Sequence, residues 1–449
     1  EYMLYMLWDL GFKVGHATRT VDQCIQLSKE DITIRTAVLE MRYLWADEDL
    51  FNELKGRFWK EVVEGSEREF ILAKLEERDN RHIRAGVSRY LVEPNVKESK
   101  GGLRDLQLLF WLAKYVYQVE REEDLANIGL FTNEEFESLL EAYSFLWTVR
   151  CRLHFLRNRP EERLSFDVQT ELADQMNYKD GEGQSAVEIF MKDYFRVAKD
   201  IGDLTRIICS TLETRHPLGW PRLGRMLGFS GQKKLTETGF VLEGGRINVE
   251  GPEVFSNDTL NTIRLFHVAD QKSSDIHPEA LRLLKQSLDL VDESLRKNEL
   301  ANKLFLELLT SKRDPEWALR RMSEAGVLGR FVLEFGRIEA MMQFNMYHHY
   351  TVDEHLIRAI GLLSQIERGV LEEDHPLANE IIHKVRGREV LYIALFLHDI
   401  AKGRPEDHSE AGSDIAHTFG PRMGLSKAET DTVAWLVKNH LTMSEFAQS

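Results

Sequence analysis

Cysteine is scarce. Cys24, Cys151 and Cys209 are the only three in 449 residues, and they lie far apart. That spacing gives neither a zinc pattern nor a disulfide framework, so a reducing, cytoplasmic setting is expected. Long apolar runs are missing as well. No stretch approaches the roughly 20 residues that a membrane helix needs, and no secretory leader pattern opens the chain. Positive charge is in deficit: 58 Lys and Arg stand against 74 Asp and Glu, a formal net charge of −16. Nucleic-acid binding needs a basic footprint, so it is not expected, although a local basic pocket for phosphate remains open. Repeats and low-complexity tracts are absent too. The sequence opens on Glu1-Tyr2-Met3, already inside an apolar segment, which reads as a piece of a longer chain.

What is present is ordinary for a globular protein, 43% hydrophobic and 29% charged, with length for two to four domains. Residues 1–50 mix patterns. Met3, Leu4, Met6, Leu7 and Leu10 suit a helix ending at Gly11, Phe12–Ala17 reads as a short strand, and Thr20 as a helix cap. Asp31-Ile32-Thr33-Ile34-Arg35-Thr36 has the β-branched alternation of a strand. Helical periodicity then dominates 41–60, the charged segment 67–89, 103–118, 133–158 and 186–213. The helices break between about 214 and 260, where Pro217, Gly219 and Pro221 cluster and Gly239–Val249 reads as a β-hairpin turning at Glu-Gly-Gly. Helices resume from about Pro252 to Phe335.

The run LYIALFLHDIAKGRPEDHSEAGSDIA, residues 391–416, is the most telling. An apolar helix ends on His398 and Asp399, with Lys402 and His408 following. His355 lies upstream on a helix whose apolar face carries Leu356, Ile360 and Leu363, and His440 lies downstream of Val433, Leu436 and Val437. A lone His-Asp pair is commonly just a core or surface pair. Four elements each supplying a His is a different matter, because imidazoles and a carboxylate suit a divalent cation with open positions. Such a cation lowers the pKa of bound water and polarises phosphoryl oxygens. His348, His349, His375, His383 and His417 read as surface or supporting groups, and Met341–Tyr347 as core packing.

This ordered set resembles the HD-domain phosphohydrolases. The resemblance implies that His355, His398 and Asp399 bind one metal, that His408 and His440 help hold a second, and that Lys402 contacts phosphate. The family's closing Asp has no match before Ser449, which implies an HD domain continuing past the chain end.

Glu93–Gln107 is the second unusual segment. Pro94, Gly101 and Gly102 make an irregular loop leading into a helix near Leu103, with Lys100 and Arg104 adding positive charge. Amides at a helix start attract phosphate; the plainer alternative is a loop and cap with Arg104 and Asp105 in surface pairs. ESKGGLRDLQ is very similar to a segment of the bifunctional uridylyltransferase/uridylyl-removing enzymes that act on the nitrogen regulatory protein PII. Trp8–His16, Arg19-Thr20, Asp31-Ile32-Thr33, Leu164–Gln169, Phe335–Ile338 and the HD region resemble that family in the same order.

The resemblance implies a mainly α chain in four parts: residues 1–50 from the end of an α+β nucleotidyltransferase domain, 51–213 a helical associated domain, 214–335 a linker and helical region with the hairpin, and 336–449 an all-helical HD domain. It implies transfer of UMP from UTP to a tyrosine of PII, removal of that UMP by Mg²⁺- or Mn²⁺-dependent hydrolysis, and glutamine sensing by ACT domains that this chain lacks. Lys100, Gly101, Gly102, Arg104 and Asp105 are its expected nucleotide contacts, with Asp105 orienting Arg104. The transferase's Gly-Ser motif and paired Asp residues are not found. Asp31 is the one surviving candidate for a transferase carboxylate, and equally a cap, so the fragment is expected to lack transferase activity. The competing readings are a stand-alone HD phosphohydrolase of a nucleotide and a non-catalytic PII-binding scaffold.

Overall fold

The computed structural model describes residues 2–45, 47–85, 88–119, 124–127, 131–181, 183–215, 233–235, 237, 239–344 and 349–448. Pro217, Gly219, Pro221, His348 and the end of the Met341–Tyr347 run lie outside them. The described chain is mainly α-helical, as expected from the helical periodicity.

The first core gathers around the helix Leu103–Tyr117, which buries Leu106, Leu109, Leu112 and Ala113. Three helices enclose it. Glu67–Arg84 stacks Phe70 flat on Tyr115 at 3.8 Å. Asn133–Arg157 buries Leu139, Ala142, Leu146, Val149 and Leu153, the three- and four-residue steps of one helical face. Ala186–Arg215 adds Phe190, Tyr194, Ile201 and Ile208. Thr132 starts the second of these with a reciprocal capping box to Glu135.

The second core runs from Phe240 to Val437. It begins with a three-stranded antiparallel sheet in the order β1 (Lys233–Lys234), β2 (Phe240–Glu243), β3 (Arg246–Val249). Gly244 and Gly245 both have positive φ, 57° and 81°, which closes the tight β2–β3 turn expected from the sequence. The core then passes without a break into the C-terminal helices. Phe335 stacks on Phe396 at 5.8 Å, across the boundary drawn at residue 336.

The two cores meet at residues 340–342. Ala340 and Met342 pack into the first core and Met341 into the second. Beside them Val92 donates to the His349 carbonyl at 3.2 Å, and Thr351 to the Tyr90 carbonyl at 3.2 Å. No helix among the described residues is long and apolar enough to cross a membrane.

Two strand expectations are corrected. Residues 31–36 do not form a strand. Ile32–Leu39 is a helix, because the Asp31 carboxylate caps it, accepting from the amides of Thr33 and Ile34. Arg35 then ties it to the preceding helix by donating to the carbonyls of Ser28 and Lys29, at 2.7 and 2.8 Å. A cap and a buried guanidinium outweigh the weak β preference of Ile and Thr. Phe12–Ala17 has no strand partner among the described residues and stays irregular.

Candidate metal centre and the glycine loop

Each imidazole of the candidate centre is delivered by a helix boundary. The helix Arg388–Leu397 buries Val390, Tyr392, Ile393, Ala394, Phe396 and Leu397 and ends on His398. Thr351 caps the helix Val352–Glu367, which carries His355 in its first turn. His408 opens the helix His408–Arg422 behind the Asp407 cap, and His440 follows the helix Lys427–Lys438.

These four residues converge on Asp399, whose side chain is 6% exposed. Its Oδ2 lies 3.4 Å from His398 Nε2, 3.7 Å from His355 Nε2 and 2.8 Å from Lys402 Nζ. Its Oδ1 lies 3.5 Å from His440 Nε2 and 3.8 Å from His408 Nε2. His355 Nε2 and His398 Nε2 are 3.2 Å apart. The sequence-derived ligand set and Lys402 are thus brought together.

Tautomers follow from the backbone. His398 Nδ1 sits 2.7 Å from the Leu395 carbonyl and His440 Nδ1 2.7 Å from the Val437 carbonyl. A carbonyl only accepts, so both Nδ1 atoms carry the proton, and Nε2 of each ring is the atom turned towards Asp399. Burial opposes the Asp399 charge, but His398, His440 and Lys402 outweigh it and hold the carboxyl far below the ordinary range. Burial lowers the pKa of His408. For His440 burial acts the same way, yet Asp399 and the Val437 carbonyl outweigh it and raise the pKa.

The donor set fits a divalent cation. The Nε2 atoms of His408 and His440 are buried with no hydrogen-bond partner, and such atoms cost about 1–3 kcal/mol each. His355, His398 and Asp399 form one group of convergent ligand atoms, and Asp399, His408 and His440 a second, all within 4.8 Å in each group. Two groups sharing one carboxylate match the one- or two-metal expectation in number. His349, His375, His383 and His417 are exposed and outside the cluster.

Sequence reasoning missed the groups beneath His355. Asp353 accepts from the Ala340 amide at 3.0 Å, and its Oδ1 is buried without a partner. Glu354, 1% exposed, pairs with Arg320 and accepts from Ser88 at 3.3 Å. Burial raises the pKa of both acids. The Asp-Glu pair before His355 was visible as two acids on an amphipathic helix; their partners, 34 and 266 residues away, were not.

The glycine loop is tightly built. Asn95 Oδ1 accepts from the amides of Lys97 and Glu98, and Gly101 turns at φ +82°. A Cβ on Gly101 would lie 2.8 Å from Ala198 Cα, and one on Gly102 2.7 Å from the Val96 carbonyl, so both close approaches require glycine.

The helix-start amides have acceptors within the chain. Gly102, Leu103 and Arg104 donate to the carbonyls of Ser99, Val96 and Lys97. Gly101 donates to Asp105 Oδ2 at 2.7 Å. Asp105 is buried and bonds Arg81 and His82 in addition, while Arg104 reaches Gln107 at 3.3 Å and Glu98 at 3.6 Å. Asp105 therefore anchors the loop. Asp31 lies at its helix cap, remote in sequence from any described carboxylate cluster.

Comparison with known families follows the same division. Residues 69–209 match the family described as GlnD PII-uridylyltransferase, residues 240–331 the uridylyltransferase GlnD third domain, and residues 352–447 the HD domain. Together they span both cores and the whole His-Asp cluster, and carry nucleotidyltransferase and hydrolase activities as family properties. The chain belongs to the GlnD-type PII-uridylyltransferases that carry an HD domain.

Proposed function

We propose that the His-Asp cluster removes UMP from a uridylylated tyrosine of PII by hydrolysis. The observation that carries this is the convergence of His355, His398, His408 and His440 on one buried carboxylate, Asp399. His355, His398 and Asp399 would hold one divalent ion, Mg²⁺ or Mn²⁺, with Asp399, His408 and His440 available to a second. When bound, such an ion lowers the pKa of a water and polarises phosphoryl oxygens.

The residues of the chain do the rest. The Leu395 and Val437 carbonyls lock two imidazoles with Nε2 inward. Asp399 stays ionised throughout the working pH range. His408, its pKa lowered by burial, keeps an unprotonated ring near pH 7, the form that ligates a cation. Lys402, beside Asp399, neutralises charge on the non-bridging oxygens. A water oxygen bonds to phosphorus as the bond to the tyrosyl oxygen breaks. The phenol, with an ordinary pKa of about 10, is a good leaving group, and UMP departs.

On the opposed side, Lys100 and Arg104 would contact nucleotide phosphates during transfer of UMP from UTP, with Gly101, Gly102 and Asp105 shaping the loop. Asp31 is retained as a possible transferase carboxylate, engaged as a helix cap here. The reading keeps four parts, 1–50, 51–213, 214–335 and 336–449, a cytoplasmic location, and no nucleic-acid or membrane partner. Glutamine control through ACT domains belongs to the same proposal.

The test is release of UMP from uridylylated PII by this chain, with Mn²⁺, with Mg²⁺ and with chelator. Metal-dependent release is expected. No release under any metal would sink the reading in favour of a PII-binding scaffold.

A further inference from the structure

A cavity of about 280 Å³ lies where the glycine loop and the helices Glu67–Arg84 and Ala186–Arg215 meet the helix Pro315–Glu324 of the second core. Its wall carries Arg78, Arg89, Lys100, Arg206 and Arg321 beside five carboxylates. Glu324, buried, is 3.5 Å from Arg89, 3.1 Å from Arg321 and 3.8 Å from Arg206. One carboxylate thus faces three guanidiniums. The other acids on the wall have partners of their own: Asp79 holds Arg78, Asp105 holds Arg81 and His82, Asp203 holds Arg206 and Lys285, and Asp275 holds Arg321.

Two donors are left over. Lys100 Nζ, on the cavity wall, makes no hydrogen bond or ion pair with any described residue. Arg321 Nε is buried without a hydrogen-bond partner. The site is also sterically prepared. The Arg89 guanidinium lies against Gly202, where a Cβ would come within 2.5 Å of Nη1. Glycine in mid-helix weakens the helix, and here it makes room for a buried cation.

We propose that this cavity binds a phosphoryl oxyanion through Lys100, Arg321 and Arg89, bridging the two cores. Guanidinium forks match phosphate oxygens bidentately, and an ammonium adds a point charge. Both are stronger in a half-buried cleft than in water. The Arg89 charge and then burial hold the Lys100 pKa down to about 8. A bound dianion removes that repulsion. The inference goes beyond the nucleotide reading, with which it shares only Lys100, because it recruits Arg89 and Arg321 and sets the ligand between the cores. The phosphoryl group is either a free phosphate or pyrophosphate, or the phosphate end of a nucleotide.

The experiment is thermal unfolding and calorimetric titration of the chain in chelator, with phosphate, pyrophosphate, UMP and UTP in separate arms. Wild type is expected to melt higher as ligand rises, since the ligand binds only the folded state. Lys100→Gln is expected to melt no lower than wild type without ligand, and to bind pyrophosphate about tenfold more weakly or worse. Arg321→Gln is expected to lose affinity similarly. Lys402→Gln keeps the response, which separates this cavity from the His-Asp cluster. A response to phosphate and pyrophosphate alone assigns a free oxyanion and removes the nucleotide reading of Lys100 while leaving the cavity site standing. A response confined to UMP and UTP assigns a nucleotide. No response in wild type, or an undiminished response in Lys100→Gln and Arg321→Gln, overturns the proposal.

Discussion

Asp399 concentrates the chemistry of the chain in one residue, because its two oxygens are the shared neighbours of four imidazoles and Lys402. Asp399→Asn keeps the shape and removes the charge. Mn²⁺ affinity is expected to fall by more than the roughly 10–100-fold typical of outer-shell losses, and metal-dependent UMP release to vanish, as titration calorimetry and a release assay would read. Lys100 gives a second prediction, in pH. Its folded value of about 8 lies below the ordinary 10.5. Below about 8 the residue is charged in both states and its cost to folding is constant. Between those values the folded state has shed a proton that the unfolded state still binds, so stability rises with pH. The advantage of Lys100→Gln over wild type should therefore shrink as pH climbs from about 8 to about 10.5; a constant gap in denaturant unfolding would refute the depressed value. At this scale the sequence was informative. His355, His398, His408 and His440 could be picked out because apolar runs aim them inward. Arg81, His82 and Glu324 could not, since charged residues on charged helices look alike until something buries them.

Elements hold these residues by close packing at a few small positions. The helices Pro315–Glu324 and Val352–Glu367 cross at Gly361, where a Cβ would sit 2.7 Å from Glu316 Cδ and 2.8 Å from its Cβ. Gly361→Leu overpacks that crossing and is expected to cost about 1–3 kcal/mol, seen as a lower melting temperature and weaker Mn²⁺ binding, because the same helix carries His355. An unchanged melt would mean that the crossing relaxes freely. Long helices with three- and four-residue apolar steps, such as Asn133–Arg157, were legible from periodicity, and so was the Gly244-Gly245 turn. The run 31–36 was not, because its β-branched residues suit a strand locally, while the Asp31 cap and the buried Arg35 act through neighbours in space. The helix start at Leu103 teaches the same lesson: a glycine pair before a helix suggests open amides, yet the loop folds back and uses them itself.

Over the whole molecule, the link between the two cores runs beneath the metal centre. Glu354, next to His355, is buried against Arg320 of the second core and accepts from Ser88 of the first. Arg320→Met leaves a buried carboxylate without its cation and is expected to destabilise by about 3–5 kcal/mol. Arg320→Met with Glu354→Gln should recover most of that loss, and a double-mutant cycle by chemical denaturation measures the coupling. If the single variant is as stable as wild type, Arg320 does not support the buried Glu354 beneath the metal centre.

What the sequence determined by itself was local or carried in motifs: the helical class, the hairpin, and a His-Asp set whose residue types dictate metal chemistry wherever they meet. What the tertiary structure decided was which groups share a dry space. Whether Glu354 is a surface acid or a buried one, whether Asp105 pairs with Arg104 or with Arg81 and His82, and whether Lys100 faces water or three guanidiniums all depend on burial. The strength of a charge pair is set by the dielectric around it and by partners distant in the chain, and neither is written in the order of the residues.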